Sequence, residues 1–500
     1  MICLTATQKS PAEAATAIEA NRPWIDMVEL RLDFWNLQDP KLFEDELPRD
    51  LPRIVTLRRV SDGGRFALSE TKRADLLTVA LERLRPEYVD LEDDFCNTRE
   101  GSELLAFARS LGCRIVRSVH DFEGTPEELA DRIRRLDAAE GDVTKYAVTT
   151  ASTADLLTLH RAAEAVFRAE PGRERVLLGM GTYGVPSRLL PSRFHAAWTY
   201  CSAPDPGTTP GAPGHLSPRE LIERFAHREA EAGEPLFAIL GDPVLHSGSP
   251  SYHNRRFREK GAPGAYIAFP ADLLDPTMEL LDRLGFRGLS VTIPHKEGVI
   301  PFLERAEESV RAMGACNTLL RSSAGGWRGL NTDVPGFLGP LKRELPELRA
   351  LRALVIGAGG AARAVVFALL QEGVELTVAN RTRMRGEALI EELLAGGGGA
   401  GGAGVAPRAL SLNDPVLPRT PFDIIVQTTS VGMDGLSEPL PELPIGPGQL
   451  VYDIIYTPPE TPLILRARAA GARTIAGGRM FEAQAAAQFD EFLRLARESA

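Results

Sequence analysis

The sequence predicts an α/β protein of two successive parts: a (β/α)8 barrel, then a second α/β unit built around a dinucleotide-type turn. Three observations carry that prediction. Eight short β-branched runs, with helical patterns between most of them, fill about 220 residues, the size of such a barrel. A stretch dominated by proline and glycine, 203–215, follows the last run. Beyond residue 235 a new alternation starts, and "ALVIGAGGAARA" (353–364) joins an apolar strand to a helix through glycines.

The eight runs are "MICLTA" (1–6), "WIDMVELRLD" (24–33), "RIVTLRR" (53–59), "YVDLE" (88–92), "CRIVRSVHD" (113–121), "VTKYAVTT" (143–150), "RVLLGMG" (175–181) and "HAAWTYCS" (195–202). Helices are predicted over 69–85, 125–140 and 152–170. After the loop a helix is expected over 217–234, with Ser217 as its cap, Pro218 in its first turn and Gly233 at its end. The glycine tract 395–404 has no preceding strand and is expected to be a surface excursion rather than a phosphate cradle.

Composition narrows the function. Of 500 residues, 44% are hydrophobic and 25% charged, a globular balance, and the net charge of −11 argues against nucleic acid or an anionic membrane as partner. The five cysteines (Cys3, Cys96, Cys113, Cys201 and Cys316) lack CxxC spacing, so neither a disulfide framework nor a metal site is expected. "MICLTATQKS" has no basic stretch leading into an apolar run, and no apolar run is long enough for a membrane span. The expected setting is the cytoplasm, and the expected partners are small molecules; a monomer is compatible with this reading.

In a (β/α)8 barrel the chemistry gathers at the C-terminal ends of the strands. The polar residues late in the runs are Glu29, Arg31, Arg58, Glu92, His120 with Asp121, and Lys145. Each alone is compatible with a solvated strand end or an ion pair. Together they suggest one charged mouth. A lysine crowded by like charges and stripped of water favours its neutral amine, a nucleophile toward a carbonyl. His120 suits proton transfer. Glu92 is expected to orient His120, and Arg31, Arg58 and Arg188 to hold an anionic substrate. The implied chemistry is a Schiff base followed by proton removal beside the former carbonyl.

Over residues 1–222, "VELRLD", "VDLE", "SVHDFEGTP", the strand lysine and "GVPSR" (184–188) resemble type I 3-dehydroquinate dehydratase. The resemblance implies Lys145 as Schiff-base lysine, His120 as general base and acid with Glu92 as its partner, and Glu29, Arg31, Arg58 and Arg188 as substrate ligands. The family's closing loop usually reads Ser/Thr-Ala-Pro-Gly-Gln. Here it is "GAPGH", with Gly211 at the hydroxyl position and His215 at the glutamine position. His215 is compatible with a substrate hydrogen bond and equally with an exposed loop.

In the second part the turn Gly357, Ala358, Gly359, Gly360 and Ala361 suits a pyrophosphate at a helix N-terminus. The next strand ends in "ANRTRMR", with Asn380, Arg381, Thr382 and Arg385 where an NAD site places an acid; this favours NADP over NAD, a solvated basic turn being the alternative. Ser247 and Ser249 in "GDPVLHSGSPSYHN" (241–254) offer two hydroxyls, with helix capping by Ser249 as the alternative. Lys296 in "SVTIPHKEG" and Asp333 in "GLNTDVPG" form a candidate proton-transfer pair, or else a structural salt bridge, and Asn317 in "GACNTL" adds an amide.

These motifs, with "TTSVGM" (428–433), "DIIYTPPETPLI" (453–464) and "GGRMFEAQAAAQF" (477–489), resemble shikimate dehydrogenase over 235–500. The resemblance makes Lys296 and Asp333 the catalytic pair. It assigns Ser247, Ser249, Thr292, Asn317, Tyr456 and Gln484 to substrate, and adds Thr428 and Gly477 to the NADP site. Gln427 stands where asparagine is usual. The implied layout is a barrel over 1–222, a linker helix end over 223–234, an α/β substrate domain over 235–336 plus 478–500, and a Rossmann domain over 337–477. The two halves would dehydrate 3-dehydroquinate and then reduce 3-dehydroshikimate to shikimate. A dehydrogenase with an inactive barrel as scaffold, a quinate/shikimate dehydrogenase and a non-catalytic NADP-binding module are the alternatives.

Overall fold

In a computed structural model the described residues are 1–37, 47–203, 214–397 and 405–498. Contacts divide the chain into two compact units. One comprises Met1–Leu236, Pro243–Asn254 and Pro263–Phe286; the other comprises Phe237–Asp242, Arg255–Ala262 and Arg287–Ala500.

The first unit contains the barrel. Its strands are β1 (Ile2–Ala6), β2 (Met27–Arg31), β3 (Arg53–Thr56), β4 (Tyr88–Glu92), β5 (Arg114–Asp121), β6 (Val143–Thr149), β7 (Glu174–Met180) and β8 (Thr199–Ser202). All neighbours from β8 through β1 to β7 pair in parallel. At the remaining seam, Ala197 N donates to Arg175 O at 2.8 Å. Strand side chains alternate between faces, and one parity runs round the inside. Cys3, Met27, Ile54, Val116, Val143, Val176 and Trp198 pack there into one apolar cluster, with Tyr88 against it. Further along the same strands this parity becomes polar, at Thr5, Glu29, Thr56, Asp90, Ser118 and Lys145, all buried. The barrel is therefore plugged below and charged above.

Two sequence expectations need correction. Lys145 is the third residue of the seven in β6, not a strand-end residue, so it sits within the barrel. The helix expected over 217–234 is broken. Ser217 Oγ does accept from Glu220 N at 3.2 Å. A π-helical turn Glu220–Arg224 then ends at Ala226, whose φ of 52° is left-handed, and a short helix His227–Glu231 follows. The predicted helices at 69–85 and 152–170 appear as Glu70–Leu84 and Thr153–Ala169, each capped by the serine before it; that at 125–140 shortens to Leu129–Asp137. Gly211 and residues 398–404 of the glycine tract lie outside the described residues.

The second unit carries a six-stranded, all-parallel sheet. Its order is Arg408–Ser411, Glu375–Asn380, Arg352–Ile356, Ile424–Gln427, Leu450–Asp453, Arg473–Ala476. Chain order reverses between the third and fourth strands, and ligands of such sheets bind beyond that point. A mixed array joins Leu303–Ala306, Trp327–Leu330, Thr318–Arg321 and Phe286–Val291 in that order. Helix Asp333–Glu344 crosses the C-terminal helix Gly477–Glu498 at Gly336, where a Cβ would lie 2.5 Å from Gln484 Cβ. Among the described residues no helix is long and apolar enough to cross a membrane.

Three buried histidines of the first unit make its stability pH-dependent. Burial pushes His160 and His227 down to about 4 and His253 to about 3. His160 meets the edge of Phe194, His227 Nδ1 bonds Leu189 O, and His253 stacks on Tyr266. Their unfolded forms take up protons near pH 6.5 while the folded forms resist, so protonation favours unfolding as pH falls. The unfolding free energy of the first unit, read from urea titrations, should be steady above pH 7 and decline from about 6.5 to 4, by up to about 1.4 kcal/mol per pH unit per histidine.

Candidate active site

The barrel cavity is lined by Thr5, Glu29, Arg31, Arg58, Asp62, His120, Phe122, Lys145, Arg188, Tyr200 and His215, among others. Lys145 Nζ donates to Asp90 Oδ2 at 2.8 Å and lies 3.7 Å from Glu29 Oε1 and 4.3 Å from the centre of the Tyr200 ring. The expectation of like charges crowding this lysine is thus corrected: two carboxylates face it. Inward parity on β2 and β4 delivers them, and a buried ammonium requires such partners.

Asp90 was missed from sequence, although it shares the parity of Glu92 in "YVDLE". It accepts from Ser118 Oγ at 2.6 Å and pairs with Arg58 at 2.9 Å. Burial opposes its charge, but Arg58, Lys145 and His120 outweigh that and hold its carboxyl far below the usual range. Glu92 requires a second correction. It does not orient His120; it pairs with Arg58 at 2.8 Å and with the fully buried Arg73. Burial works against the charge on Arg58, yet Asp90, Glu92 and Glu29 hold its guanidinium protonated.

His120, on β5, stacks beside Phe122, and its Nδ1 is buried with no hydrogen-bond partner. Burial, then Arg58 and Lys145, push it well below the ordinary histidine value, so it is a neutral base at pH 7. Asp62, also missed, reaches the cavity from the turn after Arg58, where Arg59 holds it at 2.9 Å. Arg31 is gripped at both nitrogens by Asp33, at 2.9 and 2.8 Å. Glu29 accepts from Thr5 and Thr56. Burial lowers Arg188 to about 10. His215 is no exposed loop histidine: it lines the cavity, its Nδ1 is buried without a partner, and burial, Arg188, Lys145 and Arg31 keep it neutral.

In the second unit Lys296 Nζ meets Asp333 Oδ2 at 2.5 Å. Asn317 Nδ2 donates to Asp333 Oδ1 at 2.8 Å, and Asn317 Oδ1 accepts from Thr332 N at 2.8 Å. Gln488 braces this amide by donating to Asn317 O and Thr318 Oγ1 while accepting from Ser290 Oγ. Gln484 Oε1 is 3.5 Å from Thr332 Oγ1. Thr292 is tied by its N–H to Leu240 O, and Tyr456 stacks on Phe481. Ser247 and Ser249 belong to the first unit. There Ser247 Oγ accepts from Ser249 N at 3.2 Å, and Ser249 is the first residue of the helix Ser249–Glu259. Arg224, after the barrel, holds that loop through Leu245 O and Ser247 O.

The glycine turn fits a dinucleotide. Gly357 has φ +114°, and a Cβ on it would lie 2.6 Å from Thr428 Oγ1. Gly359 is open, and helix Gly360–Gln371 begins beside it. Lys296 Cδ lies 3.8 Å from where a Cβ on Gly360 would be, so the Lys296–Asp333 pair adjoins the turn. Arg381 and Arg385 are exposed beyond the second strand, and Asn380 Nδ2 fixes that turn through Thr382 O. Gln427 is fully buried and holds the next turn through Val431 O and Thr429. A Cβ on Gly477 would meet the carbonyl oxygens of Ile454 and Ile455.

Residues 2–231 match the family Type I 3-dehydroquinase, 239–319 the shikimate dehydrogenase substrate binding domain, and 341–397 the shikimate / quinate 5-dehydrogenase family. The chain is 30% identical to the chloroplastic bifunctional 3-dehydroquinate dehydratase/shikimate dehydrogenase of Arabidopsis thaliana, over 94% of this chain and 78% of that protein. It is 38% identical to the shikimate dehydrogenase (NADP(+)) of Syntrophobacter fumaroxidans, over 52% of this chain and 87% of that one. The structure of dehydroquinate dehydratase and shikimate dehydrogenase from S. pombe AroM aligns over 99% of this chain and 98% of that one, at 24% identity and a TM-score of 0.43.

Gly357→Ala should weaken dinucleotide binding at least about tenfold, because the added methyl strains a left-handed residue and pushes on Thr428. Titration calorimetry checks this, with an unchanged fold by circular dichroism.

Proposed function

Because the chain belongs to the bifunctional 3-dehydroquinate dehydratase/shikimate dehydrogenase family, we propose that its buried lysine and its Lys296–Asp333 pair carry two consecutive reactions. The first half is a lyase that dehydrates 3-dehydroquinate, and the second an NADP-dependent oxidoreductase that interconverts 3-dehydroshikimate and shikimate. The observation that carries the residue assignment is Lys145, a cation held between two carboxylates inside a cavity lined by a neutral histidine.

In the barrel, the Lys145 ammonium lends a proton to His120 and its freed amine adds to the ketone; the proton returns to the ketone's oxygen, which leaves as water, giving an iminium. His120 takes the proton from the adjacent carbon, and the enamine expels the β-hydroxyl as water with a proton returned by His120. Water then releases product and regenerates the amine. Glu29, Arg31, Arg58 and Arg188 are proposed to hold the substrate's hydroxyls and carboxylate, and His215 to close over it.

Bound NADPH would supply the hydride for reduction of the ketone. Lys296 is proposed to give the oxygen its proton, and Asp333, 2.5 Å away, to keep that ammonium in place. Asn317, Thr292, Gln484 and Tyr456 are proposed to bind the ring hydroxyls and carboxylate; Ser247 and Ser249 are assigned to substrate from their motif. The turn 357–361, with Thr428 and Gly477, is proposed to hold the pyrophosphate side, and Asn380, Arg381, Thr382 and Arg385 the 2′-phosphate. Preference for shikimate over quinate and a cytoplasmic, monomeric enzyme belong to this proposal.

A coupled assay tests the whole. With 3-dehydroquinate and NADPH, cofactor oxidation is expected; rapid oxidation with 3-dehydroshikimate alone would leave the barrel a scaffold. Lys145→Ala should lower dehydration by at least about 10³-fold and leave shikimate oxidation near wild type, while Lys296→Ala should do the reverse with NADP binding retained. Replacing Arg381 and Arg385 together by Ala should cost NADP about 1–3 kcal/mol of binding and leave NAD almost unaffected, read from kcat/KM for each cofactor.

A further inference from the structure

The reaction at Lys145 leaves a formal charge unaccounted for. The resting lysine is an ammonium and the Schiff base an iminium, so the nitrogen is positive before and after: ammonium plus carbonyl gives iminium plus water. The C–N bond forms, the C–O bond breaks, and the charge ends where it began. A fixed anion beside Nζ therefore serves both states and needs no rearrangement between them.

We propose that Asp90 is this anion, the catalytic counter-ion of the lysine-bound cation: the resting ammonium and the iminium on either side of the neutral enamine. The proposal rests on the Schiff-base reading of Lys145. Two carboxylates are near Nζ, and geometry separates them. Asp90 Oδ2 makes a direct 2.8 Å hydrogen bond, whereas Glu29 is at 3.7 Å with its oxygens accepting from Thr5 and Thr56. Asp90 is fully buried, so water does not screen it. It is immobilised by rigid strands: Arg58 after β3, at 2.9 Å, and Ser118 of β5, at 2.6 Å. Glu92 and Arg73 extend the alternation outward, so Arg58 cannot swing away from Asp90 without breaking further pairs. The other charged or titratable groups lining the barrel cavity are Arg31, Arg58, Asp62, His120, Arg188, Tyr200 and His215. Asp62 is the one further carboxylate among them, and Arg59 holds it at 2.9 Å.

The test uses the full chain with 3-dehydroquinate. Wild type is first trapped with borohydride and the adduct mapped to Lys145 by mass; no adduct there overturns the Schiff-base reading itself, and this proposal with it. Given that adduct, Asp90→Asn should lower kcat and the trapped fraction by roughly 10²-fold with KM within about threefold, because the anion acts on the covalent cation rather than on substrate binding. Adduct and kcat within about threefold of wild type overturn the role of Asp90. So does parallel loss of KM and kcat, the mark of a merely structural ion pair. Where Asp90→Asn does not fold, Ser118→Ala decides: a several-fold fall in kcat at constant KM is expected, and an unchanged kcat overturns the proposal.

Discussion

The barrel half depends on one row of alternating buried charges. Arg73, Glu92, Arg58, Asp90, Lys145 and Glu29 follow one another from the helix after β3 into the centre of the barrel. Each would be very costly alone in such a place, and each is offset by the next. The row explains why an apolar strand tolerates Lys145 at its third position. It also ties Arg58 to Lys145: its guanidinium bridges Asp90 and Glu92, and Asp90 in turn holds Lys145.

The two halves solve the same problem differently. In the barrel the Lys145 nitrogen is buried among ions, and two neutral histidines, His120 and His215, share its cavity. In the second unit Lys296 pairs with Asp333, which a web of neutral amides and hydroxyls, Asn317, Thr332 and Gln488, holds in turn. The first arrangement suits a covalent cation; the second suits a proton handed to an alkoxide beside a cofactor turn. The reactions are consecutive, so fusion keeps the product of one near the catalyst of the next at a concentration set by the connection.

How far the site was legible depended on whether a residue's partner was local. Lys145, His120, Lys296 and Asp333 stand out because their motifs are contiguous and their side chains unusual for strands and tight turns. The role of Glu92 was misread. Its distance from His120 depends on how far neighbouring strands are staggered, and stagger is not written in either strand. Asp90 was overlooked though its parity, two residues before Glu92, pointed inward. The periodicity over 217–234 is continuous and predicts an unbroken helix; the left-handed Ala226 reflects packing, since the residue is buried and alanine has no local preference for that conformation. Gln427 looked like a mild departure, and the structure gives it three hydrogen bonds in its turn.

From the sequence alone follow the eightfold βα alternation, the glycine turn with its arginines, and the motifs that single out Lys145, His120, Lys296 and Asp333. Each is a short-range pattern, set by side-chain period or backbone stereochemistry within a few residues. Only the tertiary structure decided which charges meet. Lys145 and Asp90 are fifty-five residues apart, on strands separated by β5. Their 2.8 Å bond exists because barrel closure and strand stagger bring one parity of several strands to the same depth, and no local segment encodes that depth.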